Sequence, residues 1–377
     1  MKMRFEVSTQ VSKVVGVILL VCGLQLFGQQ TASGEDDAPK PPKYITFDLP
    51  GAATGPVYIQ AMAINPAGAI TGWYYDANTV GHGFLRARDG TLITLDVSGA
   101  GTSYPQGTFA TGITPQAAIS GYYIDGSGVY HGFLRAPNGT YTTFDAPPSQ
   151  GMASTGITPL AINPAGTTTG WYSDAGYTQH CFLRTRNGTF TNIDPPGALY
   201  YQQQIQGNAI NPAGAITGNF EDSSLTTHGF LWAPNGTFTT FDGSPGAQYT
   251  VPSGINPAGA ITGYYFQNLS GYVGPQGFLR SPNGTISPVV YPASYQTSPS
   301  AINPAGTITG NYVDLATFQY HGFLRARNGK FTTFDVPFPG AYYPNPSTIN
   351  PAGEIAGWYY DANGTHGFLR IPAQQDE

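Results

Sequence analysis

From Ile64 onward, short runs of β-branched and aromatic residues alternate with clusters of Gly, Pro and Asn. Runs of this kind predict strands bounded by turns, and no helical apolar period persists for ten residues. The phrase INPAGAITGWYYD at Ile64 returns in altered form at Ile113, Ile162, Ile210, Ile255, Ile302 and Ile349, at spacings of 49, 49, 48, 45, 47 and 47 residues. Such a period marks a supersecondary unit that cannot bury its own faces and must stack on its copies.

Each copy divides into four strands, exemplified by FATGI, AITGWYY, GFLRA and TLITLDV or TYTTFDA. The NPAG turn between the first two offers an Asn side-chain acceptor, a Pro of fixed φ and a Gly for the left-handed position. Between third and fourth strands stand Asp89-Gly90, Asn138-Gly139, Asn187-Gly188, Asn235-Gly236, Asn283-Gly284 and Asn328-Gly329, which predict two-residue hairpins. Several continue as Asn-Gly-Thr, but the turn accounts for them without glycosylation.

Seven NPAG-type turns face only six such hairpins, because the last copy stops at HGFLRIP before its fourth strand. The missing strand stands at the other end: KYITFDLPG at 43–51 matches KFTTFDVPFPG at 330–340. The expected fold is therefore all-β, a seven-bladed β-propeller of four-stranded antiparallel blades over residues 43–372, its last blade closed by the N-terminal strand. A solenoid would need polar caps instead of complementary ends, and a β-helix has shorter periods.

Residues 1–34 read as a signal peptide: Lys2, Arg4 and Lys13 precede the apolar run from Val14 to Gly28, followed by small residues. Cleavage after Gly34 or Gly28 fits. A retained anchor is disfavoured by the run's length, and a lipoprotein at Cys22 by the bulk of Val21. Residues 35–42 read as an extended linker and 373–377 as a tail. The expectation is a secreted, periplasmic or cell-envelope protein with no membrane span after cleavage. Cys181 would then be the only cysteine, a small buried residue at a position where other copies carry Gly.

Charged residues are 10% of the chain, well below the typical ~25%. The 25 Tyr and 21 Phe argue against disorder. A net charge of −6 without a basic cluster gives no footprint for nucleic acid.

Strand order puts the NPAG and Asn-Gly turns on one face. The second-to-third loops and the connections between copies lie on the other, which is longer and more varied, as binding faces commonly are. There Tyr58, Tyr104, Tyr200, Tyr249, Tyr295 and Tyr343 recur before each copy's Ile-Asn, with Tyr201, Tyr342 and Gln202 to Gln204 nearby. They are the candidate ligand-binding residues, suited to stacking on sugars; covering sheet edges is the plainer role.

His82, His131, His180, His228, His321 and His366 each open a third strand, and Asp76, Asp125, Asp174, Asp222, Asp314 and Asp361 close the second strands. A two-residue hairpin would set Gly83 opposite Asp96 and bring His82 beside it. Such Asp, His, Asp clusters have metal-ligand chemistry. Their presence in six copies favours a hydrogen-bonded clip serving the fold, so no metal and no cofactor are expected. Arg86, Arg135, Arg184, Arg280, Arg325 and Arg370 recur likewise and are expected to pair with a carboxylate or carbonyl.

Catalysis requires asymmetry. Copy five has Gln276 for His, Gln267 for Asp and a longer loop; copy four has adjacent Glu221 and Asp222 and Trp232 for Arg. Adjacent strand residues point to opposite faces, which weakens Glu221 and Asp222 as an acid and base pair. No nucleophile elbow, HExxH, phosphate loop or EF-hand pattern occurs, so no catalytic residue is assigned.

The unit of Ile-Asn, glycine turn, short strand and His-small-Phe-Leu resembles an extracellular repeat family named for its His-Ala-Phe tripeptide. Here the tripeptide is HGF in five copies, HCF at 180–182 and QGF at 276–278. The resemblance spans about residues 44–372 and implies an exported bacterial propeller with no assigned activity. The leading expectation is a monomeric binding module for carbohydrate or a cell-surface protein. The alternative is a carbohydrate-active hydrolase or lyase near the channel mouth around copies four and five.

Overall fold

The computed structural model describes residues 40–49, 59–148, 154–199, 205–267 and 274–373, and all of its regular elements there are strands. The signal-peptide expectation lies outside the described residues. From Lys40 onward the chain forms one compact unit. Among the described residues no helix is long and apolar enough to cross a membrane.

In the first repeat, Ile59–Ile64, Ile70–Tyr75, Gly81–Arg86 and Leu92–Leu95 pair antiparallel in sequence order. The later repeats follow the same path. Single parallel pairs link third strands to the next repeat's first strand at Gly81 and Gly107, Tyr130 and Gly156, and Thr227 and Tyr249. First strands touch their successors all the way round, including Tyr342–Ile349 of the last repeat against Ile59–Ile64 of the first.

The ITG and GFL patterns explain the stacking. The Phe of each third strand is fully buried at positions 84, 133, 182, 230, 278, 323 and 368, each burial contributing roughly 2–3 kcal/mol. Every large apolar cluster spans two successive repeats: Leu85, Leu95 and Val97 meet Ile113, Ile119 and Phe133, and Phe334 and Val336 meet Ile349, Ile355 and Phe368. No repeat owns a complete core. Thr71 hides its hydroxyl by donating to the Phe84 carbonyl at 2.7 Å, and Thr169, Thr217, Thr262 and Thr309 do the same in their repeats. Gly72 is needed for strand proximity, since a Cβ there would come within 1.9 Å of the Gln60 carbonyl oxygen.

The hairpins between third and fourth strands differ from the two-residue turns expected. Ala87 pairs with Thr91 around a three-residue loop in which only Gly90 has positive φ, while Asp89 accepts the Thr91 N–H. A type I turn followed by a left-handed Gly satisfies these groups, whereas a two-residue turn would need positive φ at both positions. The register moves by one: Gly83 lies opposite Leu95, so the continuing ladder sets His82 directly across from Asp96.

The FLR arginines also depart from expectation. They lie over aromatic rings, Arg86 on Phe47 at 5.3 Å, Arg184 on Phe144 at 4.2 Å and Arg280 on Phe241 at 5.2 Å. Carbonyl bonds are long, 3.4 Å from Arg86 to Ala87 and 3.5 Å from Arg184 to Thr185, and none of these arginines forms an ion pair among the described residues. An adjacent ring satisfies the planar cation by its face, a role that charge pairing alone does not suggest.

Two devices close the ring. Lys43–Phe47 pairs antiparallel with Gly364–Ile371, from Lys43 opposite Ile371 to Phe47 opposite Gly367. Around the NPAG face, buried asparagines form a chain: Asn65 donates to Thr114 O, Asn163 to Asn211 O, Asn211 to Asn256 O, Asn256 to Asn303 O, Asn303 to Asn350 O, and Asn350 back to Asn65 O. Among the described residues, only at Thr114, which has no side-chain amide, is the link to the next repeat missing. The architecture is all-β and propeller-like, with the N-terminal strand completing the C-terminal sheet.

Candidate functional site

The face opposite the asparagines is built on the Asp, His, Asp clip. In the third repeat the Asp174 carboxylate accepts the Gly176 and Thr178 N–H groups, fixing the loop, and its other oxygen lies 3.5 Å from His180 Nε2. His180 Nδ1 meets Asp194 at 2.9 Å, and the ring stacks on Tyr172. The pattern recurs at His131 with Asp145 at 2.6 Å and Asp125 at 3.4 Å, and at His228 with Asp242 at 2.7 Å and Asp222 at 3.3 Å. His82 has Asp96 at 2.8 Å, but Asp76 is 3.7 Å away.

Burial opposes charge on His180, His228 and His366, yet the flanking carboxylates outweigh it and raise these imidazoles above their ordinary value. Asp174 and Asp361 are likewise desolvated, but backbone and histidine hydrogen bonds hold them below the usual carboxylate range. For Asp125 and Asp222 backbone bonds are the largest cause of the same lowering. Where both imidazole nitrogens face carboxylates, the cluster is a hydrogen-bonded clip that engages both ring nitrogens within the protein. Among the described residues no group of His, Cys, Asp and Glu is arranged to hold a metal.

The sixth repeat departs from this pattern. Its loop is one residue longer, closing from Asp314 N to Gln319 O, and Asp314 accepts from Ala316 and Thr317. His321 Nδ1 keeps Asp335 at 2.7 Å, but its Nε2 pairs with no carboxylate among the described residues. His321 and Asp335 line a cavity of about 250 Å³ with Tyr320, Tyr342 and Tyr359 between the sixth and seventh repeats. Tyr342 is 55% exposed and stacks on Tyr360 at 5.7 Å.

Of the six candidate tyrosines, Tyr58 and Tyr200 lie outside the described residues, as do Tyr201 and the glutamine run. Tyr343 packs beside this cavity, parallel to Trp358 at 5.7 Å and 3.9 Å from Tyr320 between ring centres. Tyr104 is 68% exposed against Tyr75, Tyr249 meets Phe266 edge-on, and Tyr295 meets Phe318. They occupy separate inter-repeat positions and do not converge. Tyr320, which precedes His321 in the third strand, and Tyr359 were not singled out by sequence; their signal was an aromatic beside each clip.

Asp222 is committed to its loop and to His228, so it is not a free partner for Glu221. In repeat five Gln276 replaces the clip, donating to the Gly274 and Tyr295 carbonyls. Cys181 is fully buried against Gly207, and burial raises its thiol far above the ordinary value.

No protein-family model and no curated protein sequence matches this chain, so the likeness to the His-Ala-Phe repeats rests on pattern alone. Solved structures do match. A catalytically inactive virginiamycin B lyase variant from Staphylococcus aureus, bound to quinupristin, aligns over 88% of this chain and 99% of its own at 15% identity, TM-score 0.54. A streptogramin B lyase aligns over 87% and 97% at 15% identity, TM-score 0.52. A puromycin hydrolase variant reaches TM-score 0.55 at 9% identity, over 86% of this chain but 54% of that one. At such identities the likeness establishes the propeller-type fold and carries no activity with it.

Proposed function

We propose that this chain is an exported, monomeric, seven-bladed propeller over residues 43–372 that binds carbohydrate through its loop-rich face. The pocket between the sixth and seventh blades is the principal site. The observation supporting this reading is Tyr342: a large, exposed ring held in place by Tyr360 at the mouth of a cavity that also presents His321 and Asp335. A fixed aromatic face covers the apolar side of a sugar ring, while an imidazole nitrogen and a carboxylate meet its hydroxyls. The four-strand repeat and its cyclic contacts support seven blades, and the apolar N-terminal run supports export.

The test is a glycan array followed by calorimetric titration of the best hit. Retention of a neutral glycan, weakened about tenfold or more by Tyr342→Ala at unchanged melting temperature, is expected of a central contact. Failure to retain any glycan would overturn the reading.

A further inference from the structure

The NPAG face carries a cavity of about 510 Å³ between repeats 2 and 3. What belongs there is indicated by the seam between repeats 7 and 1, where Glu354 is buried beside the turn. Glu354 accepts from Asn350 at 2.7 Å and pairs with Arg88 of the following repeat at 3.3 Å. Aligning NPAGE at 350–354 with TPQAA at 114–118 puts Ala118 in the place of Glu354. Aligning RARDG at 86–90 with RTRNG at 184–188 puts Arg186 in the place of Arg88. Both side chains cross the turn glycine of their own repeat, Arg88 with its guanidinium over Gly68 and Arg186 with its alkyl stem over Gly166.

The second seam thus keeps the cation and lacks its anion. Arg186 is exposed and has no hydrogen bond or ion pair among the described residues. It lines the cavity with Ala118, Gln116, Arg135 and Arg184, and no Asp or Glu lines it. Arg184 is 8% exposed, and burial lowers its guanidinium without an opposing carboxylate. Phe144 covers its face, leaving the N–H edge with one 3.5 Å bond to the Thr185 carbonyl. Three guanidinium groups in a concave, carboxylate-free site form a local positive field within a chain of net charge −6.

We propose that this groove binds the carboxylate of an acidic sugar, which takes the position Glu354 holds at the other seam. Planar guanidinium groups match a carboxylate by paired in-plane hydrogen bonds. Pro137, Pro164 and Leu134 supply an apolar wall for a sugar ring. The site lies on the face opposite the pocket of Tyr342 and is independent of it.

Calorimetric titration at low salt with glucuronate, glucose and inorganic phosphate tests this. Glucuronate should bind, glucose should not, phosphate should bind more weakly, and added salt should weaken the glucuronate complex. Ala118→Glu, which supplies an internal carboxylate, should reduce glucuronate affinity about tenfold or more without altering retention of neutral glycans on the opposite face. Arg186→Gln, a surface change, should weaken it similarly and serves if Ala118→Glu folds poorly. The proposal is overturned if glucuronate binds no better than glucose, if phosphate binds as tightly, or if these variants bind like the parent.

Discussion

His366 Nδ1 and the Asp48 carboxylate meet at 2.5 Å although 318 residues separate them in the chain. The other side of the imidazole meets Asp361 at 2.9 Å. Asp48 follows the N-terminal strand and takes the role that Asp96, Asp145 or Asp194 plays within a single repeat. His366→Ala should therefore cost about 1–3 kcal/mol, in the range of hydrogen bonds to charged groups. The Asp48→Ala effect should be smaller and non-additive with it, because Asp48 is largely exposed. Denaturant melts of the two single variants and the double variant check this coupling.

The same clips predict a pH optimum. His180, His228 and His366 are raised above 6.5, so their contribution is fully present below 6.5 and is lost as pH rises through their folded values. Asp174, Asp222 and Asp361 are lowered below 3.8, so their contribution is present above 3.8 and is lost as pH falls through their folded values. Melting temperature should peak between these limits and decline as pH rises above 6.5. Replacing the three histidines with Gln should flatten that decline.

Thr114→Asn should complete the asparagine chain by donating to Asn163 O and raise stability by up to about 1 kcal/mol. Asn256→Ala should do the reverse, removing the bonds to Asn303 O and from Ala260 N, at a cost of about 1–3 kcal/mol. Ala117, at φ 61° where the other NPAG-type turns have Gly, should be relieved by Ala117→Gly. Thermal melts of the three variants provide the comparison.

Cys181 should resist a thiol reagent in the native chain from Lys40 onward and react fully once unfolded, since it is wholly buried with a raised thiol.

Much of the fold was readable because it is written locally: Ile-Thr-Gly, Gly-Phe-Leu and the complementary ends are short patterns repeated with little change. The clip was readable as Asp76, His82 and Asp96, but its register was read one residue off, because Asp-Gly alone does not distinguish a two-residue from a three-residue hairpin. The asparagine chain was hidden, since its links join residues 45 to 49 positions apart, and 285 apart where Asn350 returns to Asn65, and run through backbone carbonyls. The ring partners of the arginines were hidden for a related reason: Arg184 reaches Phe144 of the preceding repeat. The candidate tyrosines were found by recurrence, whereas the cavity depends on which rings converge, and Tyr320 and Tyr342 come together only when two repeats are stacked.

Closure of the ring by the N-terminal strand is tested most directly by amide hydrogen exchange at Ile45 and Phe47. Paired with Leu369 and Gly367, this strand should exchange slowly, and removing residues 40–49 should lower the melting temperature and expose the amides of Gly364–Ile371. Rapid exchange at Ile45 and Phe47, with an unchanged melting curve on truncation, would contradict the closed ring.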